Sequence, residues 1–153
     1  MKFLDKLEEV LLMIGLSLMG LSVAAQIFMR YLFNMPLIWS EEFARYIFVW
    51  ITFIGAGYGV RKGSHIAMEY FFNKFSLGVR RTVSLAMTAL SVAAFAYLIP
   101  TAVFFMLEQD KIASSAMQMP MSWLFAAVPI GCAMMVFRLG VNFVRLMKGG
   151  DVK

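Results

Sequence analysis

The sequence predicts an all-α integral membrane protein, with four transmembrane helices plus an interfacial amphipathic helix on the cytoplasmic side. It reads as a single membrane domain over residues 1–153. Three observations carry this. Hydrophobic residues make up 61% of the chain and charged residues only 15%, far from the balance of an ordinary soluble domain. A chain of 153 residues has too little interior to hide that much apolar surface. The basic residues flank the apolar runs, as they do in membrane proteins. The net charge of +5 therefore does not imply a nucleic-acid partner.

The first span is expected over about 10–29, twenty residues without a charge. That length crosses about 30 Å of hydrocarbon. Gly15, Ser17, Gly20 and Ser22 are small enough to let another helix approach closely. The leader carries Asp5, Glu8 and Glu9, and the apolar run exceeds a signal core of about 7–15 residues. A retained span is expected rather than a cleaved secretion signal. Asn34-Met35-Pro36 marks a turn, because proline cannot continue a helix comfortably.

The second span is expected over about 40–61, with Ser40 as its N-cap and Trp39 just before it. Glu41 and Glu42 fall in the first turn, where the helix dipole favours negative charge. Arg45 follows at ion-pair spacing. Only residues 46–60 are uncharged, which is short for a span. The charged turn must reach the interface or be shielded by protein. Gly55, Gly57 and Gly59 predict tight packing against a partner helix.

Beyond Arg61-Lys62-Gly63, Met68, Phe71, Phe72 and Phe75 repeat at i, i+3, i+4, i+7. This predicts an amphipathic helix in the interface over about 65–77, closed by Leu77-Gly78, with His65 at its start. The third span is expected over about 82–107, kinked or broken near Pro100, with Glu108 and Asp110 at the far interface. The fourth, about 121–144, opens after Pro120. It has Trp123 as an interfacial anchor, contains Pro129, and carries Arg138 near enough to its end to snorkel.

Counting Lys and Arg sets the orientation. Eleven lie on the side of the two termini and the second connector, and three on the other. The positive-inside rule then puts both termini in the cytoplasm and turns Glu41, Glu42, Glu108 and Asp110 outward.

Candidate chemistry is sparse. Glu41 and Glu42 are consecutive, so on a helix they point about 100° apart and do not form a facing catalytic pair. Three roles fit them: an interfacial anchor, an ion pair to Arg30 or Arg45 that holds the first hairpin, or a direct part in ion transport. His65 is the only histidine, a poor metal site without a second ligand. It suits a hydrogen bond to backbone at the interface, or one to a partner protein. Arg138 suits snorkelling better than substrate binding, although a charge inside a span raises the second possibility. Cys132 has no second cysteine to pair with and reads as a small core residue. No metal cluster, nucleotide loop or nucleophile–base set is present, so no catalytic residue, metal or cofactor is expected. The spans also lack an acidic residue near the bilayer midplane, where a proton-coupled carrier would place one. The chain is poorly equipped to transport alone, which points to a subunit.

Nearly the whole chain resembles the small membrane subunit, DctQ type, of tripartite ATP-independent periplasmic (TRAP) transporters. The resemblance starts with the leader Lys6 to Glu9. Its specific part is Arg30-Tyr31-Leu32-Phe33-Asn34, Pro36, and Trp39-Ser40-Glu41-Glu42 with Arg45. It continues through Trp50, Phe53-Ile54-Gly55-Ala56, Arg61 and His65-Ile66, and more weakly through Met119-Pro120, Trp123 and Pro129. Met68-Glu69 departs from the apolar–Asp pair expected there. The resemblance implies a multi-pass protein of the bacterial inner membrane, in a sodium-coupled system importing organic acids of the C4-dicarboxylate or sialic acid class. It implies two protein partners besides membrane lipid. One is a large membrane subunit that moves the solute in an elevator-like step and holds the sodium. The other is a periplasmic substrate-binding protein. The small subunit would brace the large one, and the periplasmic end carrying Arg30, Trp39, Glu41, Glu42 and Arg45 would help dock the binding protein. The rival reading is an independent four-span carrier acting as a homo-oligomer. Such an exporter needs a membrane-embedded Glu in its first span, and this one has none.

Overall fold

The computed structural model describes residues 2–62 and 77–147. Its helices are α1 (Lys2–Leu32), α2 (Ile38–Lys62), α3 (Leu77–Glu108), α4 (Ser122–Phe125) and α5 (Ala127–Met147). Four stretches are long and apolar enough to cross a membrane: Lys6–Leu32, Ile38–Val60, Thr82–Lys111 and Ser122–Val144. The fold is an all-α membrane bundle. The described residues contain no strand, only one isolated bridge between Ala113 and Pro120. The segment expected to form the interfacial helix, with His65, Met68, Phe71, Phe72 and Phe75, lies outside the described residues. Of the expected 65–77 only Leu77 is described: it opens α3, and Gly78, expected to close that segment, sits inside α3.

Local chemistry explains the ends and breaks. After α1, Asn34 takes a left-handed φ of 57°, which Asn tolerates better than most residues. The Phe33 and Met35 amides then both donate to the Met29 carbonyl, each at 3.2 Å, and Pro36 prevents any continuation. Ser40 is not the N-cap of α2, which begins two residues earlier at Ile38. Its hydroxyl instead donates to the Leu37 carbonyl at 2.7 Å, and the residue is wholly buried. α3 continues unbroken through Pro100. The fourth span is divided at Ala126. Pro129 has no N–H to offer the Phe125 carbonyl, so the helical ladder lapses there and resumes as α5.

The helices form a row rather than a closed bundle. α1 packs on α2, α2 on α5, and α5 on α3. Gly15 of α1 faces Ile47 and Ile51, while Leu12 faces Gly55, so α1 and α2 run antiparallel. Phe53 meets Gly131, and Gly57 meets Met134, so α2 and α5 run in the same direction. The buried residues gather on α5, at Ala127, Cys132, Met135 and Leu139, because α5 has a neighbour on each side. α1 and α3 expose long apolar faces, including Leu16, Leu21, Leu90 and Phe104.

Two glycines set how close the row can pack. A Cβ on Gly131 would lie 2.7 Å from the Phe53 Cβ, and one on Gly15 would lie 2.5 Å from an Ile51 methyl. In lipid, helices associate through such close packing rather than through the hydrophobic effect. Gly131→Ala is therefore expected to cost about 1–3 kcal/mol, the usual penalty of overpacking. Gly20 has open space around it, so Gly20→Ala is expected to be neutral or to gain up to about 1 kcal/mol in helix propensity. Thermal unfolding of the two purified variants in detergent checks the pair.

Candidate functional site

Two polar clusters hold the row, one at each end of α2. The first joins three helices. Arg138 of α5 aims Nη2 between both carboxylate oxygens of Glu8 on α1, at 2.5 Å each. Its Nη1 donates to the Gly57 carbonyl of α2 at 2.8 Å. Glu8 is 6% exposed. The planar guanidinium suits this task, because its rigid fork can serve two acceptors on different helices. At Gly57 the position of a Cβ lies 3.8 Å from Met134, so the missing side chain leaves the backbone open to a long cation. The Arg138 side chain is only 15% exposed, because its guanidinium is taken up by Glu8 and the Gly57 carbonyl.

The second cluster sits at the other end of α2. Glu42 is buried, and its carboxylate collects three donors from the loop between α3 and α4. The Ser115 hydroxyl donates to Oε1 at 2.9 Å, the Ala116 amide to Oε1 at 3.1 Å, and the Met117 amide to Oε2 at 2.8 Å. Successive backbone N–H groups form a concave nest suited to an anion. The loop is shaped for this by its own bonds. The Ser114 amide donates to the Met119 carbonyl at 2.8 Å, the Met121 amide to the Ile112 carbonyl at 2.9 Å, and Gln118 takes a left-handed φ of 55°. Ser114 is fully buried, and its hydroxyl accepts from the Met119 amide at 3.3 Å. Ser122 donates to Asp110 at 2.6 Å, tying the loop's two flanks.

The adjacent carboxylates therefore part company. Glu42 turns to the loop and not to Arg30. Glu41 stays exposed and meets Arg45 at 3.8 Å across one helical turn, a solvated pair that adds little. Among the described residues Arg30 makes no ion pair, and it is exposed. Trp39 lies edge-on to Phe43 with ring centroids 6.2 Å apart. Trp123 is exposed at the head of α4, where its carbonyl accepts the Trp50 indole N–H at 3.1 Å. Gly55 and Gly57 face Leu12 of α1 and Met134 of α5, so both pack against helices of this same chain; Gly59 sits in the same last stretch of α2. The described residues hold no group of His, Cys, Asp and Glu able to bind a metal.

Sequence reading missed Glu8, the loop 114–117 and Gly131. Glu8 had one usable signal. An arginine inside a span needs a counter-charge, and the leader supplies carboxylates at the same end of the row. The loop had only its paired serines.

Comparison with known proteins fits this architecture. The family model for "Tripartite ATP-independent periplasmic transporters, DctQ component" matches residues 19–149. The chain is 31% identical over 144 residues to the sialic acid TRAP transporter permease protein SiaT of Haemophilus influenzae, covering 90% of this chain and 22% of that one. It is 32% identical over 92 residues to the C4-dicarboxylate TRAP transporter small permease protein DctQ of Vibrio cholerae, covering 60% of this chain and 40% of the relative. It is 24% identical over 147 residues to the sialic acid TRAP transporter small permease protein SiaQ of Vibrio cholerae, covering 96% of this chain and 85% of the relative. The chain thus spans well under half the length of the first two. A multi-pass helical row, matched by the family model from the first span to beyond the last, belongs to the DctQ component family of TRAP transporters, and the chain is a transporter subunit rather than an enzyme.

Proposed function

We propose that this chain is a non-transporting support in a sodium-coupled importer of organic acids of the C4-dicarboxylate or sialic acid class. It braces a large membrane subunit that carries both solute and sodium. It sits in the bacterial inner membrane with both termini in the cytoplasm. The end that carries Trp39, Glu41, Arg45 and the Glu42 loop faces the periplasm and helps receive the substrate-binding protein. The single observation behind this reading is how the charges withdrawn from solvent are used. Glu8, Glu42 and Arg138 are each committed to contacts between elements of this chain. Ionisable groups inside spans often mark ion pathways or proton relays. Here they are tied up in contacts that join the chain's own helices and loop, which suits a brace.

The named relatives support the class of solute, since they are described as sialic acid and C4-dicarboxylate systems. The partner reading is supported by the Haemophilus relative, in which a region like this chain makes up 22% of a longer permease. Liposome reconstitution tests the proposal. The chain alone is expected to take up no labelled organic acid. Uptake is expected only with a large transporter subunit and a binding protein present, under an inward sodium gradient. Uptake by the chain alone would overturn the reading.

A further inference from the structure

We propose that the outer face of α3 around Tyr97 and Thr101 is where this chain meets a membrane-spanning helix of the large subunit, through hydrogen bonds at mid-membrane depth. This rests on the supporting role proposed above and names the surface that performs it.

The covered face of α3 runs through Thr88, Val92, Phe95, Ile99, Ala102 and Met106. Tyr97 stands two residues beyond Phe95, about 200° around the helix, and is 79% exposed. Thr101 follows one turn later on the same face and is exposed as well. Tyr97 lies eleven residues before Glu108 and sixteen after Arg81. At helical rise these separations are about 16 Å and about 24 Å, so Tyr97 sits deep in the hydrocarbon layer. Helical side chains lean toward the N-terminus, here toward Arg81, so the phenol reaches further in rather than out to a headgroup.

Several other hydroxyls in the spans fold back onto their own helix, and the partnerless Tyr46 hydroxyl is buried within the chain rather than turned to lipid. Ser17 donates to Met13, Thr52 to Phe48, Thr88 to Ser84 and Ser91 to Met87, all between 2.7 and 2.9 Å. Tyr97 and Thr101 have no such bond among the described residues. Between them Pro100, also exposed, removes the N–H that the Ala96 carbonyl would otherwise accept. Three hydrogen-bonding groups thus share one lipid-level face. Acyl chains can satisfy none of them, and each unpaired group in hydrocarbon is costly. A protein helix with side chains that both donate and accept can satisfy all three. A different chain fits as the occupant, since the Haemophilus relative joins a region like this one to much additional sequence; a second copy is an outcome the test below separates. A contact with that additional sequence is the arrangement such a fusion preserves.

The test places the photo-crosslinking residue p-benzoylphenylalanine at position 97 or 101 of the full chain, co-expressed with the large subunit. Positions 16 and 21 on α1 serve for comparison. Adducts with the large subunit from 97 and 101 are the expected result. Adducts only with lipid or with a second copy, while α1 positions reach the large subunit, would overturn the assignment and leave the supporting role standing. No large-subunit adduct from any position, together with no co-purification, would bring down both. The paired substitution Tyr97→Phe with Thr101→Val touches no bond within the chain. It is expected to leave thermal unfolding of the isolated chain unchanged and to weaken association about threefold per hydrogen bond lost. Unchanged association would also count against the proposal.

Discussion

Arg138→Ala is expected to be the most damaging single substitution in the chain, at about 3–5 kcal/mol of stability. The loss comes less from the missing attraction than from what remains. Glu8 would stay withdrawn from solvent with no cation beside it, and the Gly57 carbonyl would lose its second donor. Glu8→Ala is expected to behave similarly, leaving the guanidinium stranded. The informative variant is the double one. Replacing a buried pair with uncharged groups of similar size is often neutral, so Glu8→Gln with Arg138→Met is expected to recover most of the loss. Thermal unfolding in detergent measures all three. Equal loss in the double variant would mean that the cluster's specific geometry, and not its charge balance, holds the three helices.

Glu42→Ala is expected to release the loop between α3 and α4. Two amides and a hydroxyl lose their shared acceptor, and bonds to an ionised acceptor are the stronger kind. Hydrogen exchange at the Ala116 and Met117 amides is expected to accelerate about tenfold or more. Glu42→Gln keeps the size but turns an amide N–H toward other N–H donors, so it is expected to accelerate exchange nearly as much. Glu41→Ala is the control. Its side chain is exposed and meets only Arg45, so the loop amides are expected to keep their protection. If all three variants behave alike, the loop is held by its own backbone bonds and not by Glu42.

The helical row was legible because span length and apolar content are local properties. A run of uncharged residues long enough for the bilayer needs no knowledge of its neighbours. Helix ends were harder. Ser40 has strong N-cap chemistry, yet Ile38 and Trp39 are already helical, and its hydroxyl donates to the carbonyl of Leu37 rather than accepting from an amide. Pro129 was visible, but its effect depends on where the helix starts, and it separates α4 from α5 instead of merely bending one span. The clusters were not legible for a different reason. Glu8 and Arg138 are 130 residues apart, and Glu42 meets residues 73 to 75 positions away. Which charges meet depends on which helices become neighbours, and a run of apolar residues does not encode that. Adjacency in sequence also misled at Glu41 and Glu42. Consecutive helical positions face different surroundings, so one became buried structure and the other stayed a solvated charge.

On the proposed function, the charged groups buried in this chain serve architecture and not transport. The most direct test is sodium-driven uptake of a labelled organic acid by liposomes holding the large subunit, the binding protein and the Glu8→Gln, Arg138→Met chain. Uptake within about twofold of wild type is expected, the neutral pair preserving the row. A complex that assembles and unfolds like wild type, yet takes up nothing, would contradict it and place these charges in the transport cycle itself.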